Sequence, residues 1–178
     1  KTLVIKFGGA AVASPACFDH VAQIVKSKVE EKKRVVVVVS AMKGATDGLI
    51  NLAKEVHPNP PKREYDMLVT VGERISISLL AMAMDKIGLQ AKSFTGSQSG
   101  IITTASHSEA RIIAVKPHRA VVARAVARAQ PSTQVLADDA GQFKHRHLRL
   151  AKHGQQLGVG VDGALVGAVL QAIGLDVV

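Results

Sequence analysis

The stretch "RVVVVVSAMKGATDGLI", residues 34–50, decides the fold. Five consecutive valines leave no polar alternation, so a strand here has no solvent face. A continuous β-branched run of this kind belongs to a strand covered on both sides, the environment of a parallel sheet. The run stops at Ser40. A Lys-Gly turn follows, and the spacing then predicts a helix over Thr46–Val56 with Thr46 as its N-cap. Strand, glycine turn and helix in that order form one half of a crossover unit.

Working outward, the same alternation repeats. Residues 2–7 read as a strand, and Phe18–Lys33 reads as a helix with Phe18, Val21, Ala22, Ile24, Val25 and Val29 at helical spacing. "HPNPPKR" at 57–63 is a loop, because its prolines forbid regular structure. Glu64–Ile87 reads as a long apolar helix with a break near Gly72, and Leu89–Phe94 as a strand. After the loop "TGSQSG", Arg111–Val115 reads as a strand, Pro117–Ala129 as a helix with proline in its first turn, and Thr133–Ala137 as a strand. Asp162–Ile173 reads as a helix, and Leu175–Val178 begins another strand. The alternation predicts an α/β fold with a mostly parallel central sheet, organised as a single domain over residues 1–178.

Composition narrows the class. Hydrophobic residues make up 47% of the chain and aromatics only 3%, so the core is built from Val, Ile, Leu and Ala. Cys17 is the sole cysteine, which excludes an intramolecular disulfide and a thiolate metal cluster and points to a reducing, cytoplasmic setting. No apolar run reads as long enough to cross a bilayer, and no signal peptide opens the chain, although Lys1 in place of methionine points to trimming. The net charge of +9 is uneven: residues 1–110 carry +4, residues 111–153 carry +7 and the remainder −2. The middle block suits an anionic partner or a solvated helix face. It lacks the interleaved aromatics that stack bases, which argues against nucleic acid.

Four stretches are candidates to line the ends of strands, where open α/β sheets bind ligands. In "KFGG", residues 6–9, Lys6 can aim an ammonium at a pocket while Gly8 and Gly9 let backbone N–H groups approach phosphate; the same pattern is also an ordinary turn with a strand-end charge. Ser40 and Thr46 bracket a turn whose helix start can attract an anion, or simply join two elements. Glu73, inside "TVGERIS", is a carboxylate in an apolar helix, suited to a substrate ammonium or to a pair with Arg74, Lys6 or solvent. "SFTGSQSGIITT" offers hydroxyl donors. "LGVGVDGA" at 157–164 has the glycine spacing of a dinucleotide fingerprint, but no good strand precedes it and no acid follows at the needed distance. His145 and His147 lack a third ligand, so no protein metal site is expected.

Taken together, "KFGG", "VVVVVSAMKGATDGLI", "DMLVTVGERISISLLAMAM" and "AKSFTGSQSGIITTASHSEARI", in this order and spacing, resemble the amino-terminal catalytic part of the aspartokinases, in the amino acid kinase family. The resemblance covers about residues 1–119. It implies a three-layer αβα sandwich and transfer of the ATP γ-phosphoryl group, with Mg2+, to the β-carboxylate of aspartate, in a cytoplasmic homo-oligomer of amino acid biosynthesis. It implies that Lys6 stabilises the transferring phosphoryl group, Gly8 and Gly9 cradle phosphate, Ser40 and Thr46 line the substrate site, and Glu73 holds the aspartate ammonium. Asp162 is the candidate for the catalytic aspartate.

The departures are as informative. Where the family carries hydroxyl residues after the paired glycines, this chain has Ala10 and Ala11. Where the family reads Leu-Gly-Arg-Gly-Gly-Ser-Asp-Thr-Thr, this chain reads "LGVGVDGAL". Val159 stands at the substrate-clamping arginine and Gly163 at the catalytic aspartate, with Asp162 one position early. "DDAGQF" replaces a Gly-Phe-Gln-Gly stretch, and the chain is expected to stop before the nucleotide-binding half. A non-catalytic domain acting through oligomerisation or anion binding is the rival reading.

Overall fold

The computed structural model describes residues 2–31, 34–116 and 133–137. Four strands form one parallel sheet: β1 (Thr2–Phe7), β2 (Arg34–Val39), β3 (Ala91–Phe94) and β6 (Thr133–Ala137), in the order β1-β2-β6-β3. β4 (Ile101–Thr103) and β5 (Ile112–Val115) form a separate antiparallel pair. The expected mostly parallel sheet is thus present. β2 pairs with β1 on one edge and with β6 on the other. It is an interior strand, which is why all five of its valines are buried.

The valines divide by parity. Val35, Val37 and Val39 join Phe18, Val21, Val25, Ile77, Leu80 and Met84 in the main core. These come from α1 (Pro15–Glu30) and α4 (Val71–Lys86), which pack side by side on this face of the sheet. Val36 and Val38 face the other way, with Phe94, Val4 and Ile101. Each fully buried valine contributes roughly 1.5 kcal/mol or more by leaving water, so the two-faced run is a main source of stability. The core on the second face includes no helical residue among those described. The helical layer seen is therefore the α1–α4 one.

Element boundaries differ from the sequence reading for local reasons. α1 starts at Pro15, ahead of Phe18, because Ser14 supplies the N-cap position and proline fits the first turn. α2 (Ala45–Val56) is preceded by Gly44, not capped by Thr46. Gly44 has φ 78°, the left-handed region open to glycine, and its carbonyl accepts the Gly48 N–H at 3.0 Å. The break expected near Gly72 is present at Thr70, between α3 (Lys62–Val69) and α4. Ile101–Thr103, given no element in the sequence reading, is strand β4, and β3 begins at Ala91 rather than Leu89. Lys62–Lys86 together is long and apolar enough, by length and composition, to cross a membrane, contrary to the sequence reading. Ile77, Leu80 and Met84 of this stretch are core residues, so its composition has a structural cause. Pro117–Ala129, Asp162–Ile173, Leu175–Val178 and the site candidate Asp162 lie outside the described residues.

Candidate functional site

Three chain segments meet beyond the carboxyl end of β2. The first follows β1. Lys6 occupies the next-to-last strand position and is exposed. The register sets Lys6 beside Val38, and its parity matches Val4, so it belongs to the face opposite α1 and α4. Gly8 and the short 3-10 turn Gly9–Val12 come next, closed by the Ala11 N–H donating to the Gly8 carbonyl at 2.9 Å.

The two glycines have different reasons. A methyl placed on Gly9 would stand 2.8 Å from the Ala41 carbonyl oxygen and 3.6 Å from the Lys43 nitrogen. The fold itself demands glycine there, since backbone cannot retreat cheaply. A methyl on Gly8 would meet nothing within 4 Å, and the φ of −75° suits any residue. The chain's own packing places no demand on Gly8. It is exposed and leaves open space above a bare peptide.

The second segment is the turn from Ser40 to Thr46. The Ser40 N–H donates to the Phe7 carbonyl at 3.1 Å, extending the β1–β2 ladder one residue past the strand. Ser40 and Thr46 are both half-buried, while Lys43 and Gly44 are exposed.

The third segment is the start of α4. A methyl on Gly72 would come 2.9 Å from the Ala41 side chain and 3.9 Å from the Thr46 hydroxyl oxygen. Glycine inside a helix costs about 1 kcal/mol relative to alanine. Here it permits the helix to close onto the 40–46 turn. Glu73, the next residue, is only 6% exposed. A buried carboxylate needs compensation from hydrogen bonds or charge. The structure brings together Gly9, Ser40, Thr46 and the Gly72–Glu73 pair around Ala41. Lys6 reaches the same strand ends from the other face of the sheet.

The fourth sequence candidate behaves differently. In "TGSQSG" the hydroxyl and amide groups bond one another. The Thr95 N–H donates to Gln98 Oε1 at 3.0 Å, the Ser99 hydroxyl donates to the Thr95 carbonyl at 2.9 Å, and Thr95 and Ser97 hydroxyls lie 3.2 Å apart. The loop is closed on itself and anchored by the Lys116 N–H to the Gly100 carbonyl at 2.7 Å.

Sequence reasoning missed Asp66. Its side chain is buried on α3 and accepts from the Ser108 N–H at 2.7 Å and the Ser108 hydroxyl at 3.1 Å. His107 Nδ1 lies 3.4 Å away. The bonds hold Ser108 at a φ of 62°, unusual for serine. The partners are 42 residues apart, so no local pattern signals them. Among the described residues, no group of three or more His, Cys, Asp or Glu is placed to hold a metal ion.

The amino acid kinase family profile matches residues 1–139. The chain belongs to the amino acid kinase family. Its curated relatives include the aspartokinase of Mycolicibacterium smegmatis, 51% identical over 117 residues that make up 66% of this chain and 28% of that protein. The Geobacillus stearothermophilus aspartokinase is 48% identical over 117 residues, 66% of this chain and 29% of the relative. Among solved structures, aspartate kinase from Synechocystis superposes with a TM-score of 0.72 at 34% identity, covering 99% of this chain and 27% of that one. E. coli aspartokinase III in complex with aspartate and ADP shares the fold, with a TM-score of 0.61 at 20% identity over 76% of this chain and 40% of that chain. The chain thus spans less than a third of the length of the curated aspartokinases it matches.

Proposed function

We propose that this chain carries the phosphate and substrate loops of an aspartokinase, which transfers the ATP γ-phosphoryl group to the β-carboxylate of L-aspartate in cytoplasmic amino acid biosynthesis. The observation that carries the reading is the convergence of Gly9, the Ser40–Thr46 turn and Gly72–Glu73 on Ala41. A bare, open peptide at Gly8 and a buried carboxylate at Glu73 then stand at one end of a parallel sheet.

In this reading a β-carboxylate oxygen of aspartate attacks the γ-phosphorus. The bond from that phosphorus to the ADP oxygen breaks, giving an acyl phosphate and ADP, and no proton need move. Phosphoryl transfer asks the protein chiefly for positioning and charge compensation. Lys6 offsets charge on the transferring group, and the Gly8–Gly9 backbone receives phosphate oxygens. Ser40 and Thr46 donate to substrate, and Glu73 pairs with its ammonium. Asp162 is assigned the catalytic aspartate's task. Mg2+ would ride on the nucleotide phosphates, as it commonly does, because the described residues supply no cage of their own. The reading also implies a second helical layer and a homo-oligomer.

Val159 and Gly163, at the family's arginine and aspartate positions, favour a second reading in which the chain binds these ligands without turnover. Coupled measurement of ADP release decides between them. The first reading predicts aspartate-dependent release that Lys6→Ala abolishes. Binding heat for aspartate without ADP release supports the second. Absence of both response to ATP and response to aspartate overturns the two together.

A further inference from the structure

We propose that Ala41 is a positioning residue, a one-methyl spacer that fixes the separation between the nucleotide-side turn and the substrate-side carboxylate. The ligand names rest on the reading above; the spacer itself rests on contacts within the chain. Ala41 is buried, and two neighbours give up their side chains to it on different sides. Its carbonyl oxygen blocks any Cβ at Gly9, and its methyl blocks any Cβ at Gly72. Gly9 opens the turn that follows Lys6, and Gly72 immediately precedes Glu73. Ala41 therefore stands against both glycines, and its backbone and side chain serve different partners. A larger side chain at position 41, or a methyl at position 72, moves the start of α4 away from the 40–46 turn. Part of the strain falls on Ala41 itself, whose carbonyl then shifts against Gly9 and the Gly8–Val12 turn.

The test is a methyl swap in the full chain. Gly72→Ala adds a methyl that collides with Ala41, and the double variant Ala41→Gly/Gly72→Ala moves the methyl across the same contact. Two readouts are taken. Hydrogen exchange follows the Ala11 and Ser40 amides, which are bonded to the Gly8 and Phe7 carbonyls. Calorimetry follows aspartate affinity. Gly72→Ala is expected to speed exchange at both amides and to weaken aspartate binding about tenfold, the loss expected for one weakened hydrogen bond to a charged group. The double variant is expected to recover both. The spacer role is overturned if Gly72→Ala leaves Ala11 and Ser40 exchange unchanged, or if the swap recovers thermal stability alone. Wild-type protein that gives no heat with aspartate refutes the functional reading, and exchange at the two amides still decides the role of Ala41.

Discussion

Two loop regions at the ends of strands are built by opposite means. Around Ala41 the contacts are made by missing side chains: Gly9 and Gly72 let backbone and a methyl come within distances no Cβ would tolerate. Around residues 95–111 the contacts are made by side chains: Thr95, Gln98, Ser99 and Asp66 tie the chain through hydrogen bonds. The first arrangement uses the Gly8 carbonyl to close its turn on the Ala11 N–H and leaves open space where a Gly8 side chain would stand. The second satisfies its donors internally. A region that leaves room beside bare backbone is suited to a ligand, and a region that fills its loop with its own side-chain bonds is suited to holding shape.

Substitutions sharpen this contrast. The largest stability effect is expected in the second region. Asp66→Ala strands the Ser108 N–H and should cost about 2–3 kcal/mol, seen as a lower unfolding midpoint in urea, with faster exchange across residues 104–111. Gly9→Ala should cost about 2 kcal/mol through overpacking against the Ala41 carbonyl, and should also lose ligand binding. Gly8→Ala separates fold from function. Its stability should stay within about 0.5 kcal/mol of wild type, as for surface substitutions, while affinity for a non-hydrolysable ATP analogue falls. Unchanged affinity in Gly8→Ala would remove the contrast, because both regions would then serve shape alone.

The smallest effect concerns Cys17, away from both regions. The Ser14 hydroxyl, 3.2 Å from the sulfur, holds the thiol below its ordinary value, with further help from the Ser14 backbone. A depressed thiol favours thiolate in the native state. Its contribution to stability is present above the ordinary thiol range and is lost as pH falls through the native value. Ser14→Ala should shift the pH midpoint of Cys17 alkylation upward, with little change in melting temperature near neutral pH.

Legibility in the sequence follows from range. The valine run announced an interior parallel strand because parity and β-branching are local, and β6 at Thr133–Ala137 was readable for the same reason. Lys6, Gly9, the 40–46 turn and Glu73 were legible as candidates because each sits at or just past a strand end or in an apolar helix. The helix break near Gly72 was legible, falling at Thr70, but the packing of Gly72 on Ala41 was not, since a glycine excused by a tertiary contact looks the same in sequence as one beside a helix end. Thr46 was misread as a cap for a related reason: Gly44, with its left-handed backbone, starts α2 earlier. The Asp66–Ser108 tie was invisible because its two halves come together only through the tertiary fold. The donors of "TGSQSG" looked available because sequence does not show that they bond one another.

The most direct test of the central claim, that the loops around Ala41 form a two-part site for an acidic amino acid and a nucleotide, is calorimetric titration of Glu73→Gln and Lys6→Met beside the wild type. The account predicts that Glu73→Gln loses aspartate binding and keeps the ATP analogue, and that Lys6→Met does the reverse. Equal loss of both ligands in each variant, or binding of both unchanged, would contradict it.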